Sequence, residues 1–575
     1  MFGKKLGKGE AMGVKVAIGL QSFENIRENN IFYVDKTDFI KDWWEMKDSV
    51  TLITRPRRFG KTLNMSMAEC FFSNRYGDRA DLFEGLSIWK EKSYRKLQGT
   101  LPVLFLSFAK VKGRSYEEMR FSMARIIFDI YQKNSFLLEG DLLSENEKEY
   151  FESVKPGMSD SVAADAINAL SNFLSRCFGK KVIILLDEYD TPMQEAWLSG
   201  YWDEAVGFFR GFFNAAFKTN PYMQRGLITG ITRISKESIF SDLNNLEVVT
   251  TTSEKYASYF GFTEQEVFKA LDEMGLGEEK QGVKNWYDGF TFGKQKDIYN
   301  PWSITNFISK NGEYDSYWAD SSGNGLVNSL IRKGSADVKK IMELLLKGEN
   351  FEVELDEQIV FDQLDQDENA IWSLLLATGY LRVEGVERRG RLLKKFYTLK
   401  LTNMEIESMF SKMVRGWFQT SRPEYNEFIK ALLSDNVKKM NTFLNKVALS
   451  TFSSFDGGNK PSETAKPERF YHGFVLGMVV ELAECYRVRS NRESGYGRYG
   501  VMLEPFDKTQ KAFIFEFKVL DADEDEKSLE DTVAHALSQI EEKGYETELT
   551  AAGIAPENIR KYGFAFCGKT VLIGR

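Results

Sequence analysis

Four short apolar runs constrain this chain more than anything else in it. VTLIT (50–54), VLFLS (103–107), VIILL (182–186) and GLIT (226–229) are each long enough for one strand, and the intervals between them are long enough for helices. A run that is apolar at nearly every position, instead of at alternate ones, suits a strand buried on both faces. Such strands separated by helical stretches predict a parallel α/β sheet over the first third of the chain.

The 575 residues leave room for further domains, since each takes about 150. From about residue 253 the pattern turns helical and aromatic, with NWYDGFTFGKQKDIYNPWS read as turn-rich. Residues 340–450 read as mostly helical, with one strand pair around YLRVEGVERRGRLLKKFYTLKL. The polar stretch SFDGGNKPSETAKP (454–467) reads as a linker. A helical run from Glu468 to Cys485, strand-like pieces and the acidic loop DADEDEK follow. Aromatic pieces such as NWYDGF and SYWAD read as core and turn residues, not as base-stacking platforms.

Composition narrows the chemistry. Two histidines, His472 and His535, nearly exclude reactions that need several. Cys70, Cys177, Cys485 and Cys567 are widely spaced, which argues against a zinc site or a disulfide framework and fits a reducing compartment. A net charge of −8 argues against a uniformly basic coat for nucleic acid. No apolar stretch is long enough to span a bilayer. The start, MFGKKLGKGEAMG, has no apolar core behind it and does not read as a secretory signal. A cytoplasmic protein is expected.

The first apolar run leads directly into RPRRFGKTLN. The spacing is that of a phosphate-binding loop, G-x-x-x-x-G-K-[ST], with Arg55 in the first glycine position. Glycine tolerates φ > 0 and arginine does so poorly, so Arg55 puts the loop's geometry in question. A helix starting at Gly60 would aim its free N–H groups at a phosphate. Lys61 would then meet the β- and γ-phosphates, and Thr62 would ligate Mg²⁺. The third run ends in Asp187-Glu188, delivered to the sheet's carboxyl edge, where ligands of such sheets bind. Asp187 suits Mg²⁺, directly or through water, and Glu188 suits polarising an attacking water. The fourth run ends near Thr229, Thr232 and Arg233. A hydroxyl there suits orienting that water, and Arg233 suits balancing transition-state charge.

The runs YVDKTDFI, RPRRFGKTLNMSM, LDEYDTPM, GITRISKESIFSDLNNL, YFGFTEQEV, WYDGF and YNPWSI closely resemble the bacterial AAA-ATPase-like family. Its members usually carry a C-terminal domain of the PD-(D/E)XK nuclease superfamily. The resemblance covers nearly the whole chain after about residue 17. It implies an α/β protein with an N-terminal P-loop NTPase built on a parallel sheet, a helical middle region and a C-terminal restriction-endonuclease-like α/β domain. The expected divisions are a tail (1–16), the ATPase domain (17–250), a helical lid-like region (251–345), a mainly helical middle (346–453) and the nuclease-like domain (454–575). The RPRRFGKT form looks like the family's own loop, so Arg55, Pro56, Arg57, Arg58, Phe59 and Gly60 join Lys61 and Thr62 as nucleotide-binding candidates. The implied ligands are ATP and Mg²⁺, with DNA or another nucleic acid as partner and oligomer formation left open.

In AFIFEFKVL, Glu516 and Lys518 fall on one strand face, two residues or about 7 Å apart. One reading is a structural ion pair or a solvated face. The other is the E-x-K half of a metal-dependent nuclease site, in which Glu516 binds Mg²⁺ and Lys518 steadies charge on the phosphate. The superfamily also requires an aspartate on the preceding strand, and by position that residue is Gly500. Glu504 lies on the same face but about 13 Å along, too far to share an ion with Glu516. Glu468 and Glu493 are substitute candidates, and Gln539, Lys543 and Tyr545 resemble the polar helix after such cores. The expectation is a nuclease-like fold with weak or absent cleavage, which a gain of activity in Gly500→Asp would support.

Overall fold

The apolar runs become a sheet. β1 (Val50–Thr54) is buried at all five positions. β2 (Val103–Ser107), β3 (Val182–Asp187) and β4 (Met223–Gly230) follow, and β5 (Leu246–Val249) adds an edge. All pairs are parallel, in the order β2-β3-β4-β1-β5. The structure is a computed structural model. It describes residues 15–575 apart from 234–238, 241–242, 320–324, 347, 356–366, 418–421, 452–474, 476–478, 480–481, 483–484, 491–492, 495–496, 499, 521–525 and 568–569. Residues 1–14, the linker candidate 454–467 and Glu468 therefore lie outside the described residues.

Parallel strands need crossovers, and α1 (Lys61–Phe72), α2 (Tyr116–Lys133), α3 (Asp160–Phe178) and α4 (Trp202–Phe213) contribute to them. Ser115 and Ser159 cap α2 and α3 by accepting the amides of Glu118 and Val162, worth about 1 kcal/mol each. Ile53, Ile183, Leu185 and Leu227 share one core with Met65, Met67 and Phe71 of α1. With β1, β3 and β4 adjacent, Thr54, Asp187 and Gly230 emerge side by side at the carboxyl edge.

Beyond β5 the turn-rich reading gives way to a small antiparallel sheet. β6 (Phe262–Thr263), β7 (Phe290–Phe292) and β8 (Gln295–Tyr299) pair in the order β6-β8-β7. Phe290, Phe292, Ile298 and Tyr299 are buried there, and Gly293 turns the hairpin at φ 57. α5 (Glu264–Glu273) and α6 (Pro301–Ser309) flank it. Tyr287 and Trp318 are buried, as core residues should be. The strand pair read near residue 390 forms as β10 (Leu381–Arg389) and β11 (Lys394–Leu401). A further strand, β9 (Phe351–Glu354), joins β11 with Phe351 and Val353 buried, and α7 (Glu368–Ala377) precedes β10.

The chain divides into two compact units, Met1–Val327 with Asn350–Glu407, and Asn328–Glu349 with Ser408–Arg575. The second unit holds α8 (Val437–Thr451), β12 (Tyr486–Ser490) and a short pair, β13 (Glu493–Ser494) and β14 (Gly497–Arg498). β15 (Val501–Pro505), β16 (Ala512–Val519), α9 (Leu529–Lys543), β17 (Ile559–Cys567) and β18 (Thr570–Gly574) complete it. The sheet is mixed, β12-β15-β16-β17-β18, with only the β16–β17 pair parallel. Phe513, Phe515 and Phe517 pack with Tyr562 and Phe564 on one face, and Ala512 and Ile514 pack with Ile540 and Tyr545 on the other. β16 is thus buried from both sides, and Glu516 sits in its second face.

Candidate nucleotide site and nuclease-like site

The loop after β1 makes its turn with Arg58 at φ 63 and Gly60 at φ 81, and α1 begins at Lys61. Arg55 needs no left-handed backbone, which answers the question raised by its place in the pattern. Its side chain is fully buried and donates to the carbonyls of Thr54 (2.9 Å), Thr250 (2.6 Å) and Lys255 (3.4 Å). Its guanidinium lies 4.5 Å from the Phe292 ring centre. Burial pushes its pKa down to about 9. Arg55 is therefore an internal brace that fixes the first loop residue to the strand-end segment after β5.

The neighbouring residues are fixed just as firmly. Pro56 is buried against Gly379, whose missing Cβ would sit 2.8 Å from Pro56 Cγ. The carbonyl of Arg57 accepts from Trp318 Nε1 (3.0 Å) and Asn300 Nδ2 (3.4 Å). Arg58 stacks 3.6 Å above the Trp302 ring. Phe59 is buried edge-on between Phe290 and Phe292, at 4.7 and 5.4 Å, so its side chain belongs to the core.

At the base of the loop four predicted residues converge. The buried Lys61 ammonium donates to the carbonyls of Arg55 (2.9 Å) and Pro56 (2.8 Å). Burial pushes its pKa down to about 8, against the opposing pull of Asp187, Asp190 and Glu188. Thr62 Oγ1 donates to Asp187 Oδ2 at 2.6 Å, and Thr229 Oγ1 donates to Asp187 Oδ1 at 2.5 Å. Asp187, 1 % exposed, thus has a hydroxyl on each oxygen. Glu188 leaves the strand at φ 55, an uncommon conformation for a residue with a Cβ. Burial, then the charge of Asp187, raises its pKa, and the Thr191 hydroxyl donates to it at 3.2 Å.

Two predicted residues go elsewhere. Thr232 serves Asp190, whose Oδ2 accepts from Thr232 Oγ1 (2.8 Å), Thr232 N (2.8 Å) and Ile231 N (3.0 Å). Arg233 lines a cleft with Thr250, Ser373 and Leu376, at the carboxyl ends of β1 and β5. Asp190 was absent from the sequence reading, although it is the last acid of LDEYD. It ties the end of β3 to the end of β4, and Tyr189 reinforces the tie by donating to the Thr232 carbonyl at 2.7 Å.

In the second unit, Gly500 and Glu516 do meet. Glu516 is buried; its Oε2 accepts from Gly500 N (3.2 Å) and its Oε1 from Gln539 Nε2 (2.7 Å). Gln539 also reaches Tyr545 OH at 3.2 Å. Lys518 is half-buried on the same strand, and Lys543 is exposed. Glu504 is buried but committed elsewhere, to Lys508 (2.5 Å), Arg489 (2.6 Å) and Arg487 (3.3 Å). Burial works against its charge, but the Lys508 hydrogen bond and the arginines hold its pKa below the usual range. The position of Gly500 is crowded. A Cβ on Gly500 would lie 2.5 Å from the Phe517 ring and 2.8 Å from the Phe515 carbonyl oxygen. The position is too tight for a side chain.

The two sites differ in their fitness for a cation. Thr62 and Asp187 form an adjacent hydroxyl–carboxylate pair, the oxygen donors that hard divalent ions take. Glu516 instead accepts the N–H groups of Gly500 and Gln539, and among the described residues no trio of acids, histidines or cysteines gathers there. A different acidic trio, Glu264, Asp288 and Asp297, brings carboxylate oxygens within 4.8 Å of one another. Lys284 pairs with its Glu264 and stands 4.0 Å from Asp297. Burial and a hydrogen bond with Asp297 raise Asp288 to about 7.

Comparison with known proteins finds a family match in each half of the chain. Residues 17–240 match the family described as predicted AAA-ATPase, and residues 466–575 match the PD-(D/E)XK nuclease superfamily. The chain joins an AAA-ATPase-like domain to a nuclease-superfamily domain. It is also 23% identical over 556 residues to an uncharacterized protein in the vnfD 5′ region of Azotobacter chroococcum mcd 1, with 94% of each chain covered. No helix among the described residues is long and apolar enough to cross a membrane.

Proposed function

We propose that this protein binds ATP at the carboxyl edge of β1, β3 and β4 and hydrolyses it. The nucleotide cycle then controls the C-terminal nuclease-like domain, whose cleavage is impaired and whose partner is nucleic acid. One observation carries the nucleotide half: Thr62 and Thr229 both hydrogen-bond Asp187, beside Lys61 at the start of α1. Magnesium, held by Thr62 and Asp187, would neutralise phosphate charge. The Lys61 ammonium exchanges its two loop carbonyls for phosphate oxygens, and the amides at the start of α1 add donors. Glu188, with its raised proton affinity, polarises the attacking water. Phosphate release by the purified chain, compared with Lys61→Ala, tests this. Equal rates would remove the reading.

A second reading is an ATP-gated binding module with neither significant hydrolysis nor cleavage. It is favoured by Glu516, whose oxygens receive the Gly500 and Gln539 amides while Gly500 leaves no room for a second acid. Tight ATP binding without turnover supports it. DNA cleavage with Mg²⁺ or Mn²⁺ that Glu516→Ala abolishes would overturn both readings of the C-terminal domain.

A further inference from the structure

The phosphate loop carries three arginines in four residues, and the fold treats them unequally. Arg55 is spent inside the protein on three carbonyls. Arg58 is spent on the face of Trp302, 3.6 Å from its centre. Arg57 is exposed, and its guanidinium has no acceptor and no ring partner among the described residues. Its backbone is nonetheless held as a buried residue's would be. The Trp318 and Asn300 side chains that grip its carbonyl come from 261 and 243 residues away in sequence. Both are buried, and Asn300 also caps α6 through the amides of Trp302 and Ser303. The following residue, Arg58, takes the left-handed turn and is pinned by its own stack.

An exposed cation on a firmly held stretch of backbone, with nothing to neutralise, is an arrangement that suits a charge arriving from outside. Its location narrows what that charge is. Arg57 follows Pro56, whose carbonyl accepts the Lys61 ammonium, and its charge is among those acting on that ammonium. Arg57 acts on that ammonium as a like charge, and a polyanion that reaches both cations is attracted by both. A single ordinary carboxylate would satisfy one of them. A triphosphate offers enough oxygens for both.

The geometry points to Arg57 as the cation that stabilises the terminal phosphate of a bound nucleoside triphosphate during hydrolysis, supplied by the same chain. This rests on the ATPase reading above and deepens it. In the step, a water oxygen bonds to the γ-phosphorus as the bond to the β–γ bridging oxygen breaks. The electron pair leaves on the nucleoside diphosphate, and the water proton passes to Glu188 or to solvent. Arg57 stays protonated throughout and neutralises charge growing on the γ-oxygens and the bridging oxygen. Within this assignment Arg233, set in its own cleft, is not required for that charge.

The test uses the full chain with four proteins: wild type, Arg57→Ala, Arg57→Lys and Lys61→Ala. Because Arg57 is exposed, Arg57→Ala is expected to melt at the wild-type temperature. Its kcat for ATP should fall about 1,000-fold or more, the range that such arginines supply. ADP affinity should stay within about threefold, while the tighter binding of ADP with aluminium fluoride is lost. Arg57→Lys should recover under about a tenth of the rate, since an ammonium lacks the planar fork. Mixing Arg57→Ala with Lys61→Ala should restore nothing, because each active site needs both groups in one chain. A kcat within about threefold of wild type, or a loss confined to KM, overturns the assignment, and so does rescue on mixing. If wild type turns over ATP, Lys61→Ala does not and Arg57→Ala is normal, this inference alone fails. If wild type and Lys61→Ala are equally inactive, the ATPase reading fails and takes this one with it.

Discussion

Asp187 and Glu516 are both nearly inaccessible carboxylates on central strands, yet their surroundings prepare them for different work. Asp187 is held by two threonine hydroxyls, Glu516 by a backbone amide and a glutamine amide. A hydroxyl donates or accepts by rotating about one bond, so Thr62 can face an acid at one moment and a cation at another. An N–H group only donates. The hydroxyls on the first carboxylate can turn to other partners; the two amides on the second can only donate to it. Burial alone therefore does not mark a reactive acid. The chemistry of its partners does.

The largest effect that sharpens this contrast is on turnover. Lys61→Ala and Asp187→Asn should each lower ATP hydrolysis about 100-fold or more, read as phosphate release, because the first removes the cation that meets the phosphates and the second a carboxylate that would hold magnesium. Next comes Gly500→Asp. It should lower stability by about 1–3 kcal/mol or more by overpacking, seen as a falling melting temperature. A Gly500→Asp protein that melts normally and cuts DNA would break the contrast. Arg55→Gly follows: although it restores the usual loop pattern, it strips a donor from buried carbonyls and should cost about 2–3 kcal/mol in urea unfolding.

Smaller effects are visible only in pH. The Lys61 pKa lies at about 8 in the free protein, and phosphate raises it. ATP binding near pH 8.5 should therefore take up part of a proton, and affinity should fall as pH climbs through 8. Calorimetry in buffers of different ionisation heats measures the uptake, which Lys61→Met should abolish. The smallest expected change is at Asp288, raised from 3.8 to about 7. Between those values the unfolded chain holds fewer protons at this residue, so stability falls as pH rises. Asp288→Asn should flatten that slope in melts taken from pH 4 to 7.

Much of the first sheet was legible because β1, β2 and β3 are apolar runs whose ends coincide with polar residues. The hairpin of β7 and β8 was not, since FTFGKQKDIY has only a few apolar positions broken by a glycine and two lysines. β9, four residues alternating with glutamates, is too short to stand out without its partner β11. Lys61, Thr62, Asp187 and Thr229 were readable as a set because each ends or begins an element at a known edge. The grip of Asn300 and Trp318 on Arg57 was not, because hydrogen bonds spanning 243 and 261 residues leave no local pattern. The tightness at Gly500 was equally invisible, as it depends on which way the Phe517 ring lies across the sheet.

Gly379 sits just past the end of α7 at φ 87, and its bare backbone accepts the ring of Pro56 where any side chain would collide. A glycine in that role works like the space between two gear teeth. A side chain at that position would push Pro56, and the loop with it, away from the turn between α7 and β10. The hairpin that starts from that turn ends at Leu392 and Leu393, which stand well out in solvent.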